Sequence, residues 1–252
     1  LPLGYHVVSV KNPQQAHEIY CICPPEKLET PKHLKQTEGP FIPLYALRTG
    51  TEIGMGSLRE LKKIAGKLHQ EGNSWIATLP LLAGNFDAPD CDPSPYSAIT
   101  RLFWNELYID LEEAVQHYGT AEAKDRLGSN DFQTEAKRLR ELDYADYHAT
   151  YQLKKSVLKI LAKDFFEQGD NTTQEFKAFA AENPAIHRYA AFRSSEREEQ
   201  QFHIFAQFEM CRQLRDFQKS SPVGLYLDFP VGVTDAGFDF HDQPEIFFKE
   251  VS

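Results

Sequence analysis

Two apolar runs flank one amphipathic stretch, and together they restrict the fold more than any other feature of the chain. Residues 41–47, FIPLYAL, are almost continuously apolar; after the turn RTGTEIGMG, Leu58, Leu61, Ile64, Ala65 and Leu68 recur at helical spacing and stop near Gly72; residues 75–79 are apolar again. Short strands that are apolar on both faces are buried on both faces, which is the condition of a parallel sheet covered by helices. A strand, helix, strand order then predicts a βαβ unit with a right-handed crossover. A further apolar run, residues 223–229, VGLYLDF, predicts another strand, with Asp228 at its C-terminal end. The expected arrangement is an α/β fold with parallel, buried strands.

Between the second and third of these segments the chain is mostly helical. Asp110 is placed to cap a helix whose first turn carries Glu112 and Glu113, complementing the positive end of the helix dipole. Leu153, Val157, Ile160, Leu161 and Phe165 mark one face of a long helix over 144–166, and helices are expected over 176–192 and 202–217. Their aromatic residues read as core.

The segment that joins the strand to this helical region is unusual. In DPSPYSAITRLFWNELYIDLEEA, residues 92–114, Pro93 and Pro95 fix φ and remove two backbone donors, so Ser94 and Tyr96 are held in extended or turn conformations. A long, stiff loop leaving the C-terminal end of a buried strand lies where ligands bind in α/β barrels and open α/β sheets. Asp228 shares that end of the sheet.

The rest of the composition narrows the class. A net charge of -10 argues against a polyanionic partner, so neither nucleic acid nor an anionic membrane is expected. No apolar run approaches the ~20 residues that span a bilayer, and the expected location is cytoplasmic. The four cysteines, Cys21, Cys23, Cys91 and Cys211, have neither zinc-site nor disulfide-framework spacing and read as reduced thiols. The group Asp239, His241 and Asp242 in DFHDQ reads as a solvated loop. No cofactor or metal is expected. Near the start, residues 8–10 and 19–23 read as a strand pair about the turn KNPQQ, and residues 24–40, rich in proline and charge, read as a linker.

Several of these segments resemble the 4-α-glucanotransferases of glycoside hydrolase family 77. LPLGYH at 1–6 is similar to the end of the domain that precedes the catalytic barrel, and FIPLYALR at 41–48 to barrel strand one. SPYS at 94–97 with NELYIDLE at 105–112 resembles the family's substrate loop; FKAFAAENPAIHRYAAF and GLYLDFPVGVTDAG follow in the family's order. The sequence departs from the family at TEIGMGSLREL, where Ser57 stands in place of an acid, and at the short RSSEREEQQ. The family's nucleophile, in an R-I-D-H-type motif, and its later acid/base residues have no counterpart among these 252 residues.

The resemblance implies the first strands of a TIM (β/α)8 barrel over 39–252, with a helical insertion at about 111–220, preceded by the end of a β domain and linker at 1–38. It implies transfer of α-1,4-glucan segments between maltodextrins by a retaining mechanism, with the C-terminal part of the barrel as a missing partner. Ser94, Tyr96, Ser97, Asn105 and Asp228 are the expected substrate-binding residues, and no catalytic carboxylate is assigned in this chain. A non-catalytic glycan-binding or regulatory protein of the same fold is the alternative.

Overall fold

The computed structural model describes residues 1–12, 15–27 and 37–247. The chain divides into two units, Leu1–Thr37 and Glu38–Ser252. Parts of the expected KNPQQ turn and of the 24–40 linker lie outside the described residues.

In the first unit, β1 (Gly4–Lys11) pairs antiparallel with β2 (Ala16–Cys23), placing Tyr5 opposite Ile22 and Val7 opposite Tyr20. Cys21 and Cys23 are two residues apart on this strand and therefore share a face. All four cysteines are free thiols, and no metal-binding group of His, Cys, Asp and Glu occurs among the described residues.

The second unit is built on a short parallel sheet. β3 (Trp75–Thr78) pairs with β4 (Gly224–Leu227) in parallel, Ile76 opposite Leu225 and Thr78 opposite Leu227. On the other side of β3, Phe41 forms a parallel bridge to Ala77, so β3 lies in the middle. Residues 41–47 do not form the full strand expected from their apolarity. Pro43 has no N–H to extend a ladder, the Leu44 N–H goes instead to Thr78 Oγ1 at 3.0 Å, and Leu44–Ala46 turn into a 3-10 helix.

The crossover helix α1 (Leu58–Gln70) starts at a capping box, with Ser57 and Glu60 exchanging bonds, and buries Leu58, Leu61, Ala65 and Leu68. After β3 come α2 (Leu111–Tyr118), capped by Asp110 and closed by Gly119 at φ 70, then α3 (Ala121–Gly128), α4 (Asn130–Arg140) and α5 (Tyr147–Glu167). The helix expected over 176–192 is two: α6 (Gln174–Glu182) and α7 (Ile186–Arg193). The break falls at Asn183, which leaves helical geometry at φ -122 and ψ 66, and at Pro184, which has no N–H to continue the ladder.

The long helix α8 (Arg197–Ser220) returns the chain to β4. Phe165 of α5 lies with its ring 5.4 to 5.5 Å from those of Phe176, Phe205 and Phe208, the aromatic core that joins α5, α6 and α8. DFHDQ is not a solvated loop: α9 (Phe238–Asp242) buries Phe238 against Phe103, Tyr189 and Phe192. Among the described residues no helix is long and apolar enough to cross a membrane.

Candidate functional site

The loop after β3 leaves and returns along the same path. Asn105 N–H donates to Leu81 O and Ala83 N–H to Phe103 O, each at 2.9 Å, with Leu82 bridged antiparallel to Trp104. Residues 84–102 are therefore an excursion held at its neck.

The return arm is fixed from below by side chains that substitute for a neighbouring strand. Gln207 of α8 accepts from Trp104 N–H and donates to Trp104 O, both at 2.7 Å. Six residues further along α8, Gln213 does the same for Asp110, at 2.9 Å in each direction. The buried Lys154 ammonium of α5 donates to Leu107 O and Ile109 O; burial lowers its pKa to about 8, although Glu60 and Asp110 oppose the shift.

Glu106, 1% exposed, lies 3.6 Å from Arg193 and 3.7 Å from His203. Arg193 also donates to Gly84 O and Asp87 in the outgoing arm, so one guanidinium holds both arms. Burial raises the Glu106 pKa despite Arg193. Burial, reinforced by Arg193 and Lys155, holds the His203 imidazole well below its ordinary value, so it is neutral.

At the tip, two prolines and a chain of short turns set the geometry. Ser94 N–H donates to Asp92 Oδ1 at 2.9 Å, Tyr96 N–H to Ser94 Oγ at 3.3 Å and Ser97 N–H to Ser94 O at 3.0 Å. The Ser97 hydroxyl, with the Ser94 N–H, holds the Asp92 carboxyl below the usual carboxylate range.

Tyr96 projects from this turn and donates its phenol to Asp228 Oδ2, across 132 residues of sequence. That bond pushes the Tyr96 phenol above its ordinary pKa, because the ionised phenolate would lose the donated proton and face a carboxylate. Asp228 continues the β4 ladder, its N–H reaching Thr78 O at 3.0 Å, and its Oδ1 accepts from Phe229 N–H at 2.8 Å. Half of the Tyr96 surface remains exposed, at 50%.

Ser94, Tyr96, Ser97 and Asp228 thus come together at the C-terminal end of the parallel strands. Asn105 does not join them: it is 6% exposed, and its carboxamide oxygen accepts from Leu107 N–H at 3.0 Å, capping the short helical turn Glu106–Tyr108. Gln207, Gln213, Glu106 and Arg193 escape a sequence-based search because their partners lie about 90 to 105 residues away; polar residues inside apolar helical stripes are the available hint.

Residues 42–201 match the family model described as 4-alpha-glucanotransferase. The 4-alpha-glucanotransferase of Haemophilus influenzae is 27% identical over 173 residues, covering 68% of this chain and 24% of that protein. That of Mycobacterium tuberculosis is 29% identical over 120 residues, 44% of this chain and 17% of that protein. The chain therefore spans about a quarter or less of the length of these relatives.

Amylomaltase from Corynebacterium glutamicum superposes with a TM-score of 0.73 at 24% identity, over 97% of this chain and 38% of that one. Amylomaltase from Streptococcus agalactiae in complex with acarbose gives 0.64 at 17% identity, over 83% and 46% of the two chains. The mixed α/β fold is shared with both. The chain belongs to the 4-alpha-glucanotransferase family, glycoside hydrolase family 77.

Proposed function

We propose that Tyr96, Asp228 and the turn carrying Ser94 and Ser97 bind an α-1,4-glucan, as part of a 4-alpha-glucanotransferase that moves glucan segments between maltodextrins. The observation that carries this reading is the Tyr96–Asp228 contact at the C-terminal end of parallel strands. A neutral glucan offers no charge to grip, so its site needs a stiff aromatic face and directed acceptors and donors. Tyr96 supplies a half-exposed ring. A carboxylate has about four acceptor positions. Two on Asp228 are taken, by the Tyr96 phenol and the Phe229 N–H, which leaves acceptor positions for sugar hydroxyls. Asn105 we assign to holding the loop.

In the same reading, residues 39–252 are the front of a (β/α)8 barrel, with the bridge at Phe41, β3 and β4 as its first three strands and the helices of about 111–220 as an insertion; residues 1–38 end a preceding β domain. A retaining transfer needs two carboxyls about 5 to 5.5 Å apart, one attacking the anomeric carbon and one cycling the leaving-group proton. We assign both to the part of such an enzyme that this chain does not span, and to Asp228 a hydrogen bond to a sugar hydroxyl. The family description and the acarbose complex of the streptococcal amylomaltase support a glucan as ligand.

Calorimetric titration with a maltodextrin tests the site. A carboxylate hydrogen bond contributes about 1.5 to 3 kcal/mol, so Asp228→Asn is expected to weaken binding about 10- to 150-fold with an unchanged melting temperature. Unchanged affinity with a lowered melting temperature would make Asp228 a structural turn residue.

A further inference from the structure

The two partners of the Tyr96–Asp228 contact are stapled to one another a few residues further along each segment. Beyond Asp228, Thr234 N–H donates to Ala98 O at 3.2 Å and Phe238 N–H to Ile99 O at 2.6 Å. Gly237 lies so close to the loop that a Cβ there would stand 2.6 Å from Ile99 O and 2.8 Å from Thr234 O. Asp239 completes the staple. Its Oδ1 accepts from the Thr100 hydroxyl, and its Oδ2 accepts from Arg101 N–H at 2.9 Å. The Thr100 oxygen also accepts from Leu102 N–H at 3.0 Å, which turns the hydroxyl proton toward Asp239.

The base of this staple is anchored. Phe238 is buried in the aromatic core, and Asp242 takes a two-pronged contact from Arg188 of α7 at 2.7 and 2.9 Å. On the loop side, Arg101 lies over the Phe229 ring, 5.8 Å from its centre, and donates to Val231 O at 3.0 Å. Residues 98–101 begin two residues after Tyr96, and residues 229–231 directly follow Asp228. The same loop segment is therefore held at two places in the chain that follows the strand end, at 229–231 and at 234–239.

We propose that Asp239 is a positioning residue: through Thr100 and Arg101 it sets the loop so that the Tyr96 phenol meets Asp228. The inference rests on the glucan reading of that contact for its functional consequence, and on geometry alone for the positioning. Its signature is the phenol itself, because Tyr96 titrates above an ordinary tyrosine while it is bonded to Asp228.

The test is the phenolate absorbance titration of Tyr96, isolated by subtracting a Tyr96→Phe control, in the full chain and its Asp239→Ala variant, together with maltodextrin affinity. The expected result is a Tyr96 titration in Asp239→Ala that moves down to the position it takes in Asp228→Asn, with affinity reduced about tenfold, the loss of one modest coupling. Asp239→Asn, which keeps one acceptor oxygen, is expected between the two. A Tyr96 titration left at its wild-type position while the melting temperature falls would overturn the proposal, since Asp239 would then only stabilise the fold. A titration that moves while affinity does not would uphold the positioning and refute the glucan reading. Should Asp239→Ala fail to fold, Thr100→Val removes the hydroxyl at nearly equal size and carries the same expectations.

Discussion

Replacing His203 by Phe is expected to remove a pH-dependent loss of stability. His203 is 2% exposed, packs its ring against Phe202 at 4.8 Å, and faces Glu106, Arg193 and Lys155. Its folded pKa is depressed by burial and by the two cations, so below the ordinary value of about 6.5 the unfolded chain binds a proton that the folded chain does not. Stability contributed by the neutral imidazole is therefore present above that value and falls as the pH drops.

With the slope of about 1.4 kcal/mol per pH unit, the loss between about pH 7.5 and about pH 5.5 integrates to about 1.4 kcal/mol, most of it in the lower half of the interval. Glu106, whose folded pKa is raised, contributes the opposite slope above its ordinary value, but it is present in both proteins and drops out of their difference. Urea unfolding at the two pH values measures the effect. Wild type is expected to lose about 1.4 kcal/mol more than His203→Phe over the interval. Equal losses in both proteins would mean that His203 titrates normally in the folded state, and that the packing around Glu106 and Arg193 is looser than described.

Asn105→Ala removes the cap of the turn at Glu106–Tyr108 and is expected to lower stability by about 1 kcal/mol in urea unfolding, with maltodextrin affinity unchanged; a selective loss of affinity would return Asn105 to the binding site. Ser57→Ala breaks the capping box of α1 at a similar cost of about 1 kcal/mol, and the urea midpoint should fall without a change in slope. If attack and protonation belong to residues outside this chain, the 252-residue chain incubated with maltotriose releases no glucose; release that a carboxylate substitution within the chain abolishes would contradict that assignment.

The elements that depend on short-range pattern are legible in the sequence. The spacing of Leu58, Leu61, Ala65 and Leu68 marks α1, Pro93 and Pro95 mark the stiff turn, and the apolar run ending in Asp228 marks β4 and the side chain at its end. Residues 41–47 misled because apolarity reports burial and not hydrogen bonding: Pro43 stops the ladder, and Thr78 takes the Leu44 N–H. DFHDQ misled for a related reason, since its polar residues find partners in Arg188, Thr100 and Arg101 from distant segments. Asn105 is an expected binder within NELY; the structure shows its carboxamide capping the helical turn that follows, a local backbone bond open to any carboxamide in that place. Contacts such as Gln207 to Trp104 follow from how α8 crosses the loop, which local sequence does not encode.

The central claim is that the turn bearing Tyr96 and the end of β4 form one glucan site. Amide chemical-shift mapping of the isotopically labelled chain, titrated with a maltodextrin, tests it most directly. The predicted result is saturable shifts concentrated at Ser94, Tyr96, Ser97, Asp228 and Phe229, and their loss in Tyr96→Ala, which removes the ring. Shifts centred elsewhere, for example on the 460 Å³ cavity between α5 and α8 lined by Lys159, Lys163 and Arg197, or shifts that Tyr96→Ala leaves intact, would contradict it.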